Sequence, residues 1–165
     1  MKKKNRAKKV QERKTGITRQ TVLILDFGSQ YTQLIARRVR ENKVFSMIIP
    51  YNTPAKEIAL LNPKGIILSG GPASVVDKKS PYPDAGIFKL GIPILGICYG
   101  MQVICELLGG KVKHTRDREF GKVELFIDDN SNLFSHLPGN FTCWASHGDY
   151  VTKMPAGFHT IGHTS

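Results

Sequence analysis

Hydrophobic and polar positions along this chain alternate between two rhythms. Thr21-Val22-Leu23-Ile24-Leu25-Asp26 is a continuous, β-rich apolar run of the kind made by a strand buried on both faces. A short glycine turn follows, then Ser29, which can cap a helix whose apolar residues Tyr31, Leu34, Ile35 and Val39 recur at helical spacing, with Arg37, Arg38 and Arg40 on the other side. The cycle repeats, with Phe45 to Ile49 as a strand, Pro54 to Leu61 as a short helix, and Gly65 to Leu68 as a third strand. A further strand, Ile92 to Ile97, feeds a helix around Met101 to Leu108, which Gly109 and Gly110 terminate. Such alternation predicts a parallel sheet with helices on both faces, because each crossover must return over the sheet, and hence a three-layer α/β fold. After Gly110 the pattern turns to strands with polar turns, roughly Gly121 to Ile127 and Phe141 to Ala145, which predicts a small β-rich extension.

Size and composition agree with that reading: 165 residues, 41% of them hydrophobic, can bury one substantial core. The longest apolar runs are far too short to span a bilayer and no charged-then-apolar leader opens the chain, so the expected location is cytoplasmic. Three cysteines without paired spacing (Cys98, Cys105 and Cys143) argue for reduced thiols rather than a disulfide framework or a structural zinc site. The net charge of +11 is the only sign of a nucleic-acid binder, and it is concentrated at one end. Residues 1–20 hold nine of the 24 Lys and Arg but one of the 13 Asp and Glu, which leaves only +3 for residues 21–165. The chain therefore divides into a basic tail, 1–20, expected to be disordered and to attract polyanions weakly, and a folded domain, 21–165.

The strongest chemical signal is Gly96-Ile97-Cys98-Tyr99-Gly100, a cysteine between small residues at a strand-to-helix junction. Glycines on either side let the backbone turn sharply, and amides at the start of the next helix favour negative charge on the sulfur. A cysteine acting as a small hydrophobe is the plainer alternative, and Cys105 and Cys143, which lack the elbow, fit it better. Leu68-Ser69-Gly70-Gly71-Pro72 follows another parallel strand, so it opens on the same sheet edge, where its amides could face Cys98 as oxyanion donors or form an ordinary turn. Ala145-Ser146-His147-Gly148-Asp149 puts a histidine and a carboxylate two residues apart, but the spacing does not place that carboxylate behind the ring, as a catalytic base requires.

Taken in order, Asp26-Phe27-Gly28-Ser29-Gln30-Tyr31-Thr32-Gln33-Leu34-Ile35-Ala36-Arg37-Arg38, Ile67-Leu68-Ser69-Gly70-Gly71-Pro72, Gly96-Ile97-Cys98-Tyr99-Gly100-Met101-Gln102, Arg118-Glu119-Phe120-Gly121 and Ser146-His147-Gly148-Asp149 resemble the motif series of GMP synthetase amidotransferase domains, a branch of the class I glutamine amidotransferases. The resemblance runs from about Thr21 to Ser165 and implies the three-layer, flavodoxin-like amidotransferase fold. It also implies Cys98 as the nucleophile that hydrolyses glutamine through a thioester, with the Gly71 and Tyr99 amides as oxyanion hole. Gln102, Ser146, His147 and Gly148 would hold glutamine. No metal or cofactor is implied for this half, whereas ATP and Mg serve the synthetase domain that would use the ammonia to convert XMP to GMP. The family's general base is a histidine in a His-Pro-Glu motif, and the 165 residues contain none; Phe158-His159-Thr160 is a partial lookalike. The domain is accordingly expected to be incomplete at its C-terminus, and the chain by itself weak or inactive. Two alternatives stay open: another class I amidotransferase subunit, and a non-catalytic glutamine-binding module.

Overall fold

The first strand, β1 (Thr21–Asp26), is the second of four in a parallel sheet ordered β2-β1-β3-β4, with β2 at Phe45–Pro50, β3 at Gly65–Leu68 and β4 at Ile94–Gly96. This is a computed structural model; it describes residues 20–164, except that the side chains of 115–120 and of 147 lie outside the description. The basic segment of residues 1–19 lies outside it too. Continuous hydrophobicity in β1 has the predicted cause. Leu23, Ile24 and Leu25 are all fully buried, so both faces of the strand are covered. Leu23 and Leu25 join Ile49, Ile66 and Leu68 in the main core, which also takes in residues from three helical segments. These are α2 (Ala55–Leu60), a 3-10 turn (Ala85–Lys89) and α3 (Tyr99–Leu107).

Helix α1 (Thr32–Glu41) covers the other face, and here the apolar pattern misleads. Its buried residues are Thr32 and Ala36, while Tyr31 and Leu34, predicted to face inward, are exposed. Hydrogen bonds explain the exchange. Thr32 donates its hydroxyl to Asp26 Oδ1 at 2.8 Å, and Ser46 of β2, itself buried, donates to the Ala36 carbonyl at 2.9 Å. A buried hydroxyl with a partner carries little of the usual desolvation cost, so polar residues can occupy the inner face. Ser29 caps no helix; its hydroxyl accepts from the Tyr31 amide in the turn before α1.

Asp84 joins α2 to the 3-10 turn. Its carboxylate accepts the Ala55 amide at 2.8 Å and the Gly86 amide at 2.8 Å, which holds its carboxyl below the usual range. Beyond α3, Gly109 takes the positive φ of 89° that ends the helix as predicted. Then β5 (Lys111–Ile127), β6 (Asn140–Lys153) and β7 (Gly162–Thr164) form an antiparallel sheet ordered β6-β5-β7. The β-rich extension is thus longer than its apolar positions indicate, because β5 begins at Lys111 and β6 ends at Lys153, in polar and charged stretches outside the apolar centres. The pairing slips between His114 and Glu119, so β5 bulges where it passes Gly148. Among the described residues, no helix is long and apolar enough to cross a membrane.

Candidate functional site

Cys98 sits at the carboxyl end of the parallel sheet as the residue that caps α3, with φ 50° and ψ −112°. Such a conformation is costly for a residue with a side chain, by about 1–3 kcal/mol, and persists only where the surroundings over-determine it. The neighbouring glycines supply that constraint in a different manner from the one predicted. Positive φ falls on the cysteine itself, and Gly96 and Gly100 are needed for close approach. A β-carbon on Gly96 would lie 2.5 Å from the Met101 amide nitrogen, and one on Gly100 would overlap the carbonyl of fully buried Leu68. The elbow is therefore clamped between β3, β4 and the first turn of α3, with the thiol exposed.

The Gly-Gly-Pro loop lies where the sequence places it. A β-carbon on Gly70 would stand 3.6 Å from that of Cys98 and 3.6 Å from Ser29 Oγ, so this glycine separates the elbow from the β1–α1 turn. Gly71 packs so closely on β1's exit that a β-carbon there would be 2.6 Å from the Phe27 carbonyl oxygen. Ser69, fully buried, anchors the loop by accepting the Phe27 amide at 3.0 Å. Among the described residues, neither the Gly71 nor the Tyr99 amide donates a main-chain hydrogen bond, which leaves both available at the sheet edge. The Tyr99 ring is buried, its hydroxyl donates to the Pro81 carbonyl at 2.7 Å, and burial pushes its pKa up to about 12.

Strand β6 closes the site from the other side. Cys98 Sγ lies 3.8 Å from the Ser146 carbonyl oxygen, and one helical turn on, buried Gln102 donates from Nε2 to the Asp149 carbonyl at 3.2 Å. Ser146 and Gln102 thus meet beside the elbow, and Gly148 lies between Ser146 and Asp149 on the same strand; the backbone of His147 pairs with Glu119, and its side chain lies outside the described residues. Two further histidines are held elsewhere. His163 Nδ1 is 3.0 Å from Asp128 and stacks on Phe126, and His159 Nε2 is 3.5 Å from Asp129. Phe120 pairs with Ser146 in the β5–β6 ladder, and Asp128 lies eight positions further on, just past the end of β5, roughly 25 Å away at the usual rise. Neither histidine can serve Cys98 from there. Sequence reasoning missed one group: Asp149 is buried, receives the Ser74 hydroxyl at Oδ2 and pairs with His114 at Oδ1, each at 2.5 Å. Nothing in the sequence joins Ser74 to a residue 75 positions away. Among the described residues, no group of three or more His, Cys, Asp and Glu is placed to hold a metal ion.

Comparison with known proteins identifies a family and a shared fold. Residues 23–165 match the family Glutamine amidotransferase class-I. A "GMP synthase [glutamine-hydrolyzing]" of Nostoc sp. is 53% identical over 148 residues, and one of Thermosynechococcus vestitus is 53% identical over 149 residues. Each match takes in 90% of this chain, which spans only 27% and 28% of those two proteins. Among solved structures, a putative GMP synthase protein from Thermoplasma acidophilum superposes with a TM-score of 0.78 at 29% identity, over 90% of this chain and 75% of that one. A glutamine amidotransferase from Thermotoga maritima, 20% identical with a TM-score of 0.68 over 88% of this chain and 67% of its own, shares the fold. The chain belongs to the class I glutamine amidotransferase family.

Proposed function

We propose that this chain is the glutamine-hydrolysing part of a GMP synthase, with Cys98 as its nucleophile. The observation that carries the reading is the exposed Cys98 thiol on a strained backbone at the start of α3, packed against the Gly70–Gly71 loop, with the Gly71 and Tyr99 amides donating no main-chain hydrogen bond among the described residues. In this mechanism the Cys98 thiolate attacks the side-chain amide carbon of glutamine, and the developing oxyanion is stabilised by those amides. Departure of ammonia requires a proton on the nitrogen and leaves a glutamyl thioester, which water hydrolyses to glutamate and the free thiol. Gln102, Ser146, His147 and Gly148 line the place where glutamine would be held. The ammonia would pass to an ATP- and magnesium-dependent synthetase domain, which aminates XMP.

The second reading, a glutamine-binding module without turnover, is favoured by the two histidines held at the far end of β5, out of reach of Cys98. A glutaminase assay separates the two. The chain should hydrolyse glutamine slowly, Cys98→Ala should abolish this, and a longer protein carrying His-Pro-Glu and the synthetase domain should be about 10²–10⁴-fold faster, the usual worth of general acid-base assistance. Equal activity in both proteins, removed by His147→Ala alone, would make His147 the base and refute this account of the missing proton donor.

A further inference from the structure

Three segments that are distant in sequence meet at one buried carboxylate. Asp149 of β6 receives the Ser74 hydroxyl at Oδ2 and faces His114 Nδ1 at Oδ1, both at 2.5 Å, while its main-chain carbonyl takes Gln102 Nε2 at 3.2 Å. Ser74 lies three residues beyond Gly71, in the loop between β3 and the 3-10 turn. That loop is cinched around Ser74: its hydroxyl also accepts the Val76 amide, and its carbonyl accepts the Ser80 hydroxyl. A buried carboxylate is costly unless both oxygens are engaged, and here protein groups engage both. The same residue thereby ties the loop with the Gly71 amide to the helix bearing Cys98, Tyr99 and Gln102, and both to the strand bearing Ser146 and Gly148.

We propose that Asp149 is a positioning residue of the glutamine site, acting through Ser74 to hold the Gly70–Gly71 loop in register with Cys98. This rests on the reading of the site as a glutamine site. The Ser69 hydroxyl fixes the start of the loop, but Ser69 precedes the glycine pair. The Ser74–Asp149 bond fixes the loop beyond that pair, so Gly71 lies between two anchors. Donors to an oxyanion must sit at about 2.7–3.1 Å, and misplacement by about 1 Å can cost about a hundredfold, so freedom at the second anchor should reach the chemistry.

The test uses the whole chain and two alkylating reagents. One is iodoacetamide; the other is the chloroketone analogue of glutamine, in which a chloromethyl ketone replaces the side-chain amide. Each forms a bond from the Cys98 sulfur to carbon and expels halide, and neither leaving group needs a proton donor. The chloroketone reports site geometry and iodoacetamide reports the bare thiol. Ser74→Ala and Asp149→Ala should each slow chloroketone labelling about tenfold, the scale of a lost hydrogen bond to a charged group. The double variant should be no slower than either, Ser74→Thr should retain the parent rate, and iodoacetamide rates should be unchanged in all. Slow labelling in Asp149→Ala with a parent rate in Ser74→Ala would overturn the proposal, because Asp149 would then act on the ligand directly. Parent rates in both variants, or an equal loss with iodoacetamide, would overturn it as well. If the unaltered chain reacts with iodoacetamide and ignores the chloroketone, the glutamine reading falls, and this inference with it.

Discussion

Gly100→Ala tests whether the elbow is held by backbone contact. The added β-carbon would lie 2.7 Å from both the carbonyl carbon and the β-carbon of Leu68, and nearer still to its oxygen, whereas ordinary contact begins at 3.4 Å. Leu68 is fully buried in β3 and its carbonyl also accepts the Ile97 amide, so the obstacle is backbone that cannot swing aside. Helix α3 would have to retreat by about 1 Å from a close-packed sheet, at a cost near the upper end of overpacking, about 3 kcal/mol. Replacing glycine by alanine in a helix returns at most about 1 kcal/mol, so the clash wins by about 2 kcal/mol. For a folded part of this size the unfolding midpoint should fall by about 6–8 °C in a calorimetric scan. Gly139→Ala is the control, since nothing lies within 4 Å of a β-carbon there and its midpoint should not move. A Gly100→Ala midpoint at or above that of the parent would refute the clamp, and with it the physical reason for the strained φ at Cys98.

Two further outcomes follow from burial. Under limiting iodoacetamide, peptide mass spectrometry should find Cys98 modified first, because it is exposed at a helix start while burial both shields the Cys105 thiol and pushes its pKa up; earlier labelling of Cys105 or Cys143 would contradict the elbow. Tyr99, raised from 10.0 to about 12, keeps its proton longer folded than unfolded, so its contribution is complete below pH 10 and is lost as pH rises from there through about 12. Tyr99→Phe should therefore flatten the alkaline loss of stability while costing about 1 kcal/mol at neutral pH for the Pro81 carbonyl left without its donor, and an alkaline limb unchanged by the substitution would rule Tyr99 out as its source.

The parts of the fold legible in the sequence were those governed by burial. A run such as Val22 to Leu25 has few destinations other than a strand covered on both sides, and Cys98 between Gly96 and Gly100 states its own turn. Hydrophobicity failed where hydrogen bonds decide. On α1 the partnered Thr32 and small Ala36 turn inward and the larger Tyr31 and Leu34 do not, which no apolar count could anticipate. Strands β5 and β6 run beyond their apolar centres because a ladder with solvent on one side tolerates Lys111, Lys113 and Lys153. The Ser74–Asp149–His114 cluster was invisible for a different reason. Its members come from three segments that only the completed fold brings together, and no spacing pattern joins Ser74 and His114 to Asp149.

The most direct test of Cys98 as the nucleophile of a glutamine site is the mass of the intact chain after exposure to the chloroketone analogue of glutamine. The account predicts one adduct, located at Cys98 by peptide mapping, whose formation is slowed by added glutamine and abolished by Cys98→Ser. An adduct on Cys105 or Cys143, or labelling of Cys98 that glutamine does not slow, would contradict it.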